Sequence, residues 1–261
     1  MDGVNKTLYI PLFGKAYVSR RGILLHDPKA EEIWAREGFA LKGKAASRWL
    51  AFYMSMRARV FDRWLREQMD LYPNAAVLHL GCGMDSRVLR VGTDGHCWYD
   101  VDFPEVIRER KRYFEENQDY RMIPGDVRDA GWMANISGTA AIVVMEGISM
   151  YLERAALTEL IDRLGSRFDK LVILVDCYTE FAAKASRVKN PVNEVGVTVV
   201  YGLDDPLVLE TDAVKFEGEH TMTPKDLIRE LNGFEKGLFR KLYAGKMAGK
   251  LYKLYEFRKK E

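Results

Sequence analysis

From residue 75 onward, short apolar runs alternate with segments of helical periodicity, and this alternation restricts the chain to one class of fold. The predicted strands are 75–80, 97–101, 120–123, 140–145 and 171–177, and the predicted helices are 104–116, 153–168, 180–188 and 223–232. Strands that are joined by helices form a parallel sheet with helices on both faces. The wholly apolar runs also suit central strands that are buried on both sides. The sequence therefore predicts a doubly wound α/β fold.

The two ends of the chain depart from this alternation. The first seventy residues are predicted to be mostly helical, with one apolar face formed by Trp49, Tyr53, Met56, Val60 and Trp64. We therefore predict a single domain, with a helical N-terminal cap over 1–72 and an α/β core over 73–261. Within that core, 190–220 is predicted to be an irregular insertion that serves as a lid or a pocket wall. The segments 234–242 and 249–258 are predicted to form a final antiparallel pair.

Composition argues against several kinds of partner. The 40 Lys and Arg residues against 38 Asp and Glu leave a net charge of only +2, which does not favour a nucleic-acid surface. The three cysteines (Cys82, Cys97 and Cys177) and the four histidines are scattered, so neither a disulfide framework nor a metal site is expected. The N-terminus is too polar for a signal peptide, and no apolar run approaches a membrane span. We expect a cytoplasmic protein without a membrane partner.

A glycine-rich turn and three carboxylates follow successive predicted strands. The segment VLHLGCGMDSR, at 77–87, leads a buried strand into Gly81-Cys82-Gly83, where glycine lets a ligand approach the main chain closely. Asp102 ends the second strand 19 positions after Gly83, where a carboxylate can accept both ribose hydroxyls of a nucleoside. Asp126 and Glu146 end the third and fourth strands. Ligands of open α/β sheets bind at this edge, so we predict a nucleoside site here.

The residues of the turn favour one nucleoside cofactor over another. A dinucleotide fingerprint would place a third glycine where this chain has Ser86, and Asp85 would repel a pyrophosphate. S-adenosylmethionine carries no phosphate, and its ammonium and carboxylate groups can pair with acidic and basic side chains. We therefore predict S-adenosylmethionine as cofactor, with S-adenosylhomocysteine as product, and disfavour a nicotinamide oxidoreductase.

Five motifs resemble those of a known family. LGCGMDSR, YDVDFPEVIRERK, GDVRD and MEGISMYL resemble the leucine carboxyl methyltransferase superfamily. TLYIPLFGKAYVSRRGILLHDPKA, at 7–30, resembles its polyketide (tetracenomycin-type) carboxyl O-methyltransferase branch. The resemblance covers most of 7–155, whereas 178–222 matches only in general layout. It implies a class I methyltransferase with a Rossmann-like, mostly parallel seven-stranded sheet and an antiparallel last strand.

The resemblance also implies roles for single residues. Lys15 and Arg57 would hold the cofactor's carboxylate, Gly81 and Gly83 would lie against its amino-acid part, and Asp102 would bind the ribose. Asp126 would meet the adenine amino group, Val127 the adenine face, and Glu146 the ammonium. Cys82, Asp85 and Phe103 complete the predicted set, although the family more often has alanine in place of Cys82. Arg57 could instead be a solvated helix charge, but Asp62, one turn on, is expected to orient it.

The acceptor is predicted to be a carboxylate of a small molecule. A carboxylate is ionised at neutral pH and needs no general base, which agrees with the lack of a nucleophile–base pair in the sequence. The candidate substrate contacts are Tyr17, Arg21, Tyr151 and Tyr201.

Several other acceptors and functions stay open. They are a hydroxyl or thiol acceptor, a protein C-terminal carboxyl group, and a cofactor-binding module without turnover. Methylation of nucleic-acid bases is disfavoured, because EGIS ends the fourth strand in place of a motif that grips a flipped base. The sequence does not predict an oligomeric state.

Overall fold

The computed structural model describes residues 8–38, 41, 43–189 and 199–261, and its N-terminal part is helical. Three helices, α1 (Tyr9–Arg20), α2 (Pro28–Glu37) and α3 (Arg48–Leu71), precede the sheet, with a short 3₁₀ turn at Gly43–Ala46. Asp27 caps α2 by accepting the Ala30 N–H at 2.9 Å, and Pro28 follows in the first turn. The start of α2 is therefore encoded by its local sequence.

Seven strands form one sheet in the order β3-β2-β1-β4-β5-β7-β6. They are β1 (Ala76–Leu80), β2 (Trp98–Asp102), β3 (Tyr120–Pro124), β4 (Ala140–Met145), β5 (Lys170–Tyr178), β6 (Val214–His220) and β7 (Tyr252–Lys259). The first five strands pair in parallel, and β7 runs antiparallel between β5 and β6. The strand order reverses between β1 and β4, and in such sheets ligands bind at that point. The predicted mostly parallel, seven-stranded sheet is confirmed.

Helices connect most of these strands. They are α4 (Arg87–Val91), α5 (Pro104–Arg110), α6 (Arg154–Arg167), α7 (Glu180–Lys189), α8 (Lys225–Glu230) and α9 (Gly233–Leu242), with 3₁₀ turns at Gly131–Asn135, Ser149–Tyr151, Pro206–Leu209 and Ala248–Lys250. Helix α5 is shorter than the predicted 104–116. The chain turns before β3, where Asn117 Oδ1 accepts the N–H groups of Asp119 and Tyr120 at 2.9 and 3.0 Å. No helix of the described residues is long and apolar enough to cross a bilayer.

The buried strands divide their side chains between two apolar layers. Ile142 and Leu174 pack with Phe52 and the rest of the N-terminal helices on one face of the sheet. Val143 and Ile173, the alternate residues of the same strands, pack with α6 on the other face. This period of two, with apolar side chains on both faces, explains why β4 and β5 have continuous hydrophobic sequences.

The predicted C-terminal strand pair is wrong in one member. Residues 234–242 lie in α9, whose Phe239 is buried against the N-terminal helices. The strand that pairs with β7 on the side away from β5 is instead β6 (Val214–His220), inside the segment predicted to be an irregular insertion. Its sequence VKFEGEH alternates between covered and exposed positions, which is typical of an edge strand. Residues 190–198 of that insertion lie outside the described residues.

Candidate functional site

A cavity of about 550 Å³ lies beside the carboxyl ends of β1 to β4. Its walls come from the turns after these strands and from the N-terminal helices, β5, α7 and β7. The predicted cofactor residues all line it: Lys15, Arg57, Gly81, Cys82, Gly83, Asp85, Asp102, Phe103, Asp126, Val127 and Glu146. The structure thus brings together residues that are up to 131 positions apart in the sequence.

The glycine turn after β1 depends on glycine for two reasons. Gly81 and Gly83 have φ values of +66° and +51°, in the left-handed region that side chains disfavour. A Cβ on Gly81 would also lie 1.9 Å from Ile148 Cγ2, in the turn after β4. The turn can therefore pack against the β4 turn only if position 81 has no side chain.

Asp102, at the end of β2, has a carboxylate without a cationic partner among the described residues. It accepts the N–H groups of Gly83 and Phe103, each at 2.8 Å. Burial raises its pKa to about 6, because these two hydrogen bonds and the more distant Arg110 compensate the loss of water only in part. Such a carboxylate has spare lone pairs for further neutral donors.

The neighbouring Asp100 is already fully engaged. Its carboxylate accepts from His79 Nδ1 at 3.1 Å, from Trp98 Nε1 at 2.9 Å and from the Tyr120 hydroxyl at 2.6 Å, and it also bonds Arg110. Burial opposes its charge, but Arg110 and His79 together bring its pKa to about 2. Asp100 therefore supports the wall of the cavity and does not line it.

Asp126, after β3, is hydrogen-bonded by the guanidinium of Arg128. Arg128 Nε lies 3.0 and 2.9 Å from the two carboxylate oxygens of Asp126, and this hydrogen bonding lowers the pKa of that carboxyl. Both side chains line the cavity next to Val127. This end of the cavity therefore has acceptor and donor groups that are partly open to solvent.

Buried ion pairs surround the glycine turn. Lys15 Nζ lies 2.8 Å from Asp85 Oδ2 and 3.9 Å from Glu146 Oε1, and Arg57 Nε lies 3.0 Å from Glu146 Oε1. Burial would raise the pKa of Glu146, but Lys15, Arg57 and Arg87 lower it to about 2. Cations and carboxylates alternate in this end of the site, so a zwitterionic amino-acid group can find both kinds of partner.

The predicted pairing of Arg57 with Asp62 is wrong. Asp62 Oδ1 instead accepts from Arg87 Nε at 3.0 Å, and Asp62 Oδ2 accepts from Arg90 Nε at 2.8 Å. Five positions along a helix turn the side-chain direction by about 140°, so residues 57 and 62 do not share a face. The second acid on Arg57 is Asp176, with Arg57 Nη1 2.8 Å from its Oδ2.

Sequence reasoning missed three buried residues of this site. Arg87 bonds Glu146 and Asp62, Asp176 bonds Arg57, and His79 lines the cavity with Nδ1 engaged by Asp100. His79 and Arg87 flank the glycine turn after β1, so their position in the sequence could have indicated them, whereas Asp176 lies on β5, where no ligand group was predicted. No set of three or more His, Cys, Asp or Glu side chains in the described part of the chain could hold a metal ion.

The structure brings one of the four candidate substrate residues to the cavity. Tyr151 lines it and is 38% exposed. Arg21 bonds the Tyr17 hydroxyl at 2.7 Å and Glu235 at 2.8 Å, and neither Tyr17 nor Arg21 lines the cavity. Tyr201 lies in a separate groove, where its hydroxyl donates to Glu153 at 3.0 Å. The geometry therefore gives support to Tyr151 alone.

The remaining wall of the cavity is apolar and aromatic. It includes Leu50, Met54, Met150, Leu152, Tyr178, Ala182, Leu251 and Tyr252. The rings of Tyr178 and Tyr252 meet edge to face, with centroids 4.6 Å apart. The cavity thus has a charged end at the glycine turn and an apolar end between α3, α7 and β7.

Comparisons with known sequences agree on one family. A sequence model described as leucine carboxyl methyltransferase matches residues 11–165, more than half of the chain. The tetracenomycin polyketide synthesis O-methyltransferase TcmP of Streptomyces glaucescens is 28% identical over 241 residues, which are 90% of this chain and 89% of that protein. The S-adenosyl-L-methionine-dependent methyltransferase dpfgK of Gibberella zeae is 26% identical, over 81% of this chain and 79% of that protein.

Comparisons with solved structures show the fold. The magnesium protoporphyrin IX methyltransferase of Synechocystis PCC 6803 with bound SAH has a TM-score of 0.54 at 11% identity, over 88% of this chain and 94% of that chain. The plantazolicin methyltransferase BamL in complex with SAH has a TM-score of 0.51 at 11% identity, over 98% and 97%. The predicted Rossmann-like α/β methyltransferase fold is confirmed.

Proposed function

Because the chain belongs to the leucine carboxyl methyltransferase family, it is an S-adenosylmethionine-dependent methyltransferase, and we propose that it methylates a carboxylate of a small, largely apolar acid. One observation carries this proposal. A single cavity joins a charged end, suited to the amino-acid part of the cofactor, to an apolar and aromatic end, suited to an acceptor.

The charged end fits the amino-acid part of the cofactor. Arg57 and Lys15 would bind its carboxylate, and Glu146 and Asp85 would accept hydrogen bonds from its ammonium group. These four side chains already pair with one another across 2.8 to 3.9 Å, so a zwitterion can join them without leaving a buried charge alone. Gly81 and Gly83 would let it lie against the main chain.

The middle of the cavity fits the nucleoside. Asp102 would accept the two ribose hydroxyls, since it has acceptor capacity and no cation competes for it in the described part of the chain. Asp126 would accept the adenine amino group, and Val127 and Phe103 would contact the ring. Cys82 lines the same wall and is buried.

The proposed chemistry asks little of the protein beyond placement. S-adenosylmethionine, when bound, supplies an electrophilic methyl group and a thioether leaving group that needs no acid. A carboxylate acceptor is ionised at neutral pH, so the side chains need only exclude water and align the acceptor oxygen with the methyl carbon. Met150, Leu152 and Tyr178 would do this, since they line the same cavity.

The apolar end supports an apolar acceptor. The cations that line the cavity among the described residues are Lys15, Arg57 and Arg128, and each is already paired with a carboxylate. The acceptor's bulk would therefore bind through Leu50, Met54 and the Tyr178–Tyr252 pair. The relative named for tetracenomycin polyketide synthesis supports a small-molecule acceptor of this kind.

A hydroxyl or thiol acceptor is the alternative, and it would gain from a general base. His79 is the imidazole that the described cavity wall offers. Burial lowers its pKa, so its ring is neutral, and Nε2 is left as an acceptor. His79 lies beside the glycine turn, however, two residues before Gly81 and away from the apolar end. This placement favours the carboxylate, which needs no base.

A matched acceptor panel tests the proposal. Aromatic carboxylic acids would be compared with phenols and thiols on the same ring systems, using S-adenosylmethionine with a labelled methyl group. We expect label in a product that mild base hydrolyses, because esters are base-labile and ethers are not. Base-stable label from the phenols or thiols would contradict the carboxylate assignment, and cofactor binding without any transfer would favour a binding module.

A further inference from the structure

Asp176, near the end of β5, is a buried carboxylate to which the proposed mechanism gives no part. It is fully buried and does not line the cavity. Its Oδ2 accepts from Arg57 Nη1 at 2.8 Å, and its Oδ1 accepts the Gly147 N–H at 2.6 Å. One side chain therefore joins the guanidinium of Arg57 to the turn that follows β4.

The guanidinium of Arg57 is fixed on two of its three nitrogens. Nε donates to Glu146 at 3.0 Å and Nη1 donates to Asp176 at 2.8 Å. Nη2 makes no hydrogen bond to a described residue, and Arg57 lines the cavity. Nη2 is therefore the nitrogen that is left for a ligand.

The turn after β4 packs closely against this guanidinium. Gly147 has a φ of +78°, and a Cβ there would lie 3.4 Å from Arg57 Nη2. The hydrogen bond from Gly147 N–H to Asp176 keeps the main chain at Gly147 against Arg57. The same carboxylate thus fixes both the direction of Nη2 and the space around it.

We infer that Asp176 is a positioning residue that aims Arg57 Nη2 at the carboxylate of S-adenosylmethionine. The inference rests on the proposed cofactor site. Without Asp176, the guanidinium can rotate and form a two-pronged pair with Glu146, as arginine and carboxylate commonly do. That pairing would remove Nη2 from the ligand's carboxylate and Glu146 from its ammonium.

A purely structural role predicts a different pattern of loss. If Asp176 only stabilised the β4 turn, its replacement would weaken every ligand of the cavity to a similar extent. If it acts through Arg57, the loss is confined to ligands that carry the amino-acid group, and it disappears when Arg57 is absent.

The test measures the dissociation constants of S-adenosylhomocysteine and of 5′-methylthioadenosine, which lacks the amino and carboxyl groups. Calorimetry would be run on the wild type, Asp176→Asn, Arg57→Met and the double variant. We expect Asp176→Asn to weaken S-adenosylhomocysteine at least tenfold and methylthioadenosine less than twofold. In the Arg57→Met background, adding Asp176→Asn should change the affinity for S-adenosylhomocysteine less than twofold.

Three results would overturn the inference. They are equal weakening of both ligands, additive losses in the double variant, and unchanged affinity for S-adenosylhomocysteine in Asp176→Asn. Binding of methylthioadenosine reports that the nucleoside part is folded, and Asp176→Ser gives the same comparison if Asp176→Asn does not fold. Failure of the wild type to bind S-adenosylhomocysteine would instead overturn the proposed cofactor site itself.

Discussion

The carboxyl group of Asp102 links cofactor affinity to pH. Burial raises its pKa from the ordinary 3.8 to about 6. Ribose hydroxyls donate more strongly to the ionised form. The ionised fraction falls from nearly complete at pH 7.5 to about one tenth at pH 5, so the affinity for S-adenosylhomocysteine should fall about tenfold over this interval.

The same shift acts on stability with the opposite sign. Between pH 6 and pH 4 the native protein holds a proton that the unfolded chain has released, so acid stabilises the fold through this group. From the two pKa values, its contribution to the free energy of unfolding should rise by about 1.4 kcal/mol when the pH falls from 7.5 to 5. Asp102 therefore costs stability at the pH at which it binds best.

Asp102→Asn removes the titration while nearly keeping the shape. Calorimetry with S-adenosylhomocysteine and urea unfolding of the ligand-free protein would each be run at pH 7.5 and pH 5 on both proteins. We expect at least tenfold weaker binding by the variant at pH 7.5, with little change on going to pH 5. On going from pH 7.5 to pH 5, the free energy of unfolding of the wild type should rise by about 1.4 kcal/mol relative to that of the variant. A pH dependence that is the same in both proteins would refute this account of Asp102.

Three further predictions concern other parts of the site. Arg57→Ala should weaken S-adenosylhomocysteine at least tenfold and lower the free energy of unfolding by about 3 kcal/mol, because it leaves Asp176 buried without its cation and removes one of the three cations around Glu146; unchanged urea stability would contradict this. Gly81→Ala should cost at least about 2 kcal/mol, because an alanine is strained at a φ of +66° and its Cβ would collide with Ile148. Its control is Gly131→Ala, where a Cβ meets no atom within 4 Å and the change should be under about 0.5 kcal/mol. With the acceptor that the panel identifies, kcat should be constant from pH 6.5 to 9, because a carboxylate is ionised throughout this range, whereas a tenfold rise per pH unit would indicate a hydroxyl that must first lose its proton.

The strand-end residues of the site were predictable because one rule governs them all. In a parallel sheet the carboxyl ends of the strands share an edge, so Gly81, Asp102, Asp126 and Glu146 had to lie close together once the strands were located. Only the period of the apolar residues was needed to locate them. Asp100, two residues earlier on the same strand, is instead engaged by buried donors.

The pairing of buried charges was not predictable in the same way. Arg57 meets Asp176 across 119 positions, and spacing along one helix suggested Asp62 instead. Which acid reaches which cation depends on how helix α3 lies against the sheet, and the sequence pattern carries no such information.

The prediction of the C-terminal strand pair failed for a local reason. The segment 234–242 is short and amphipathic, so its apolar residues fit a helix or a strand almost equally well. In Val214–His220, at the edge of the sheet, only alternate side chains are covered. This weak pattern falls in a stretch that lacks other helical or strand signals. The apolar end of the cavity, built from α3, α7 and β7, depends on these long-range placements as well.

A crystal structure of the complex with S-adenosylhomocysteine would test the central claim most directly. We expect both ribose hydroxyls within hydrogen-bond distance of the Asp102 carboxylate, and the amino-acid carboxylate at Arg57 Nη2. The adenine should lie beside Asp126 and Val127. A ligand that lies among the apolar residues near Tyr178 and Tyr252, with Asp102 not engaged, would contradict the proposed site.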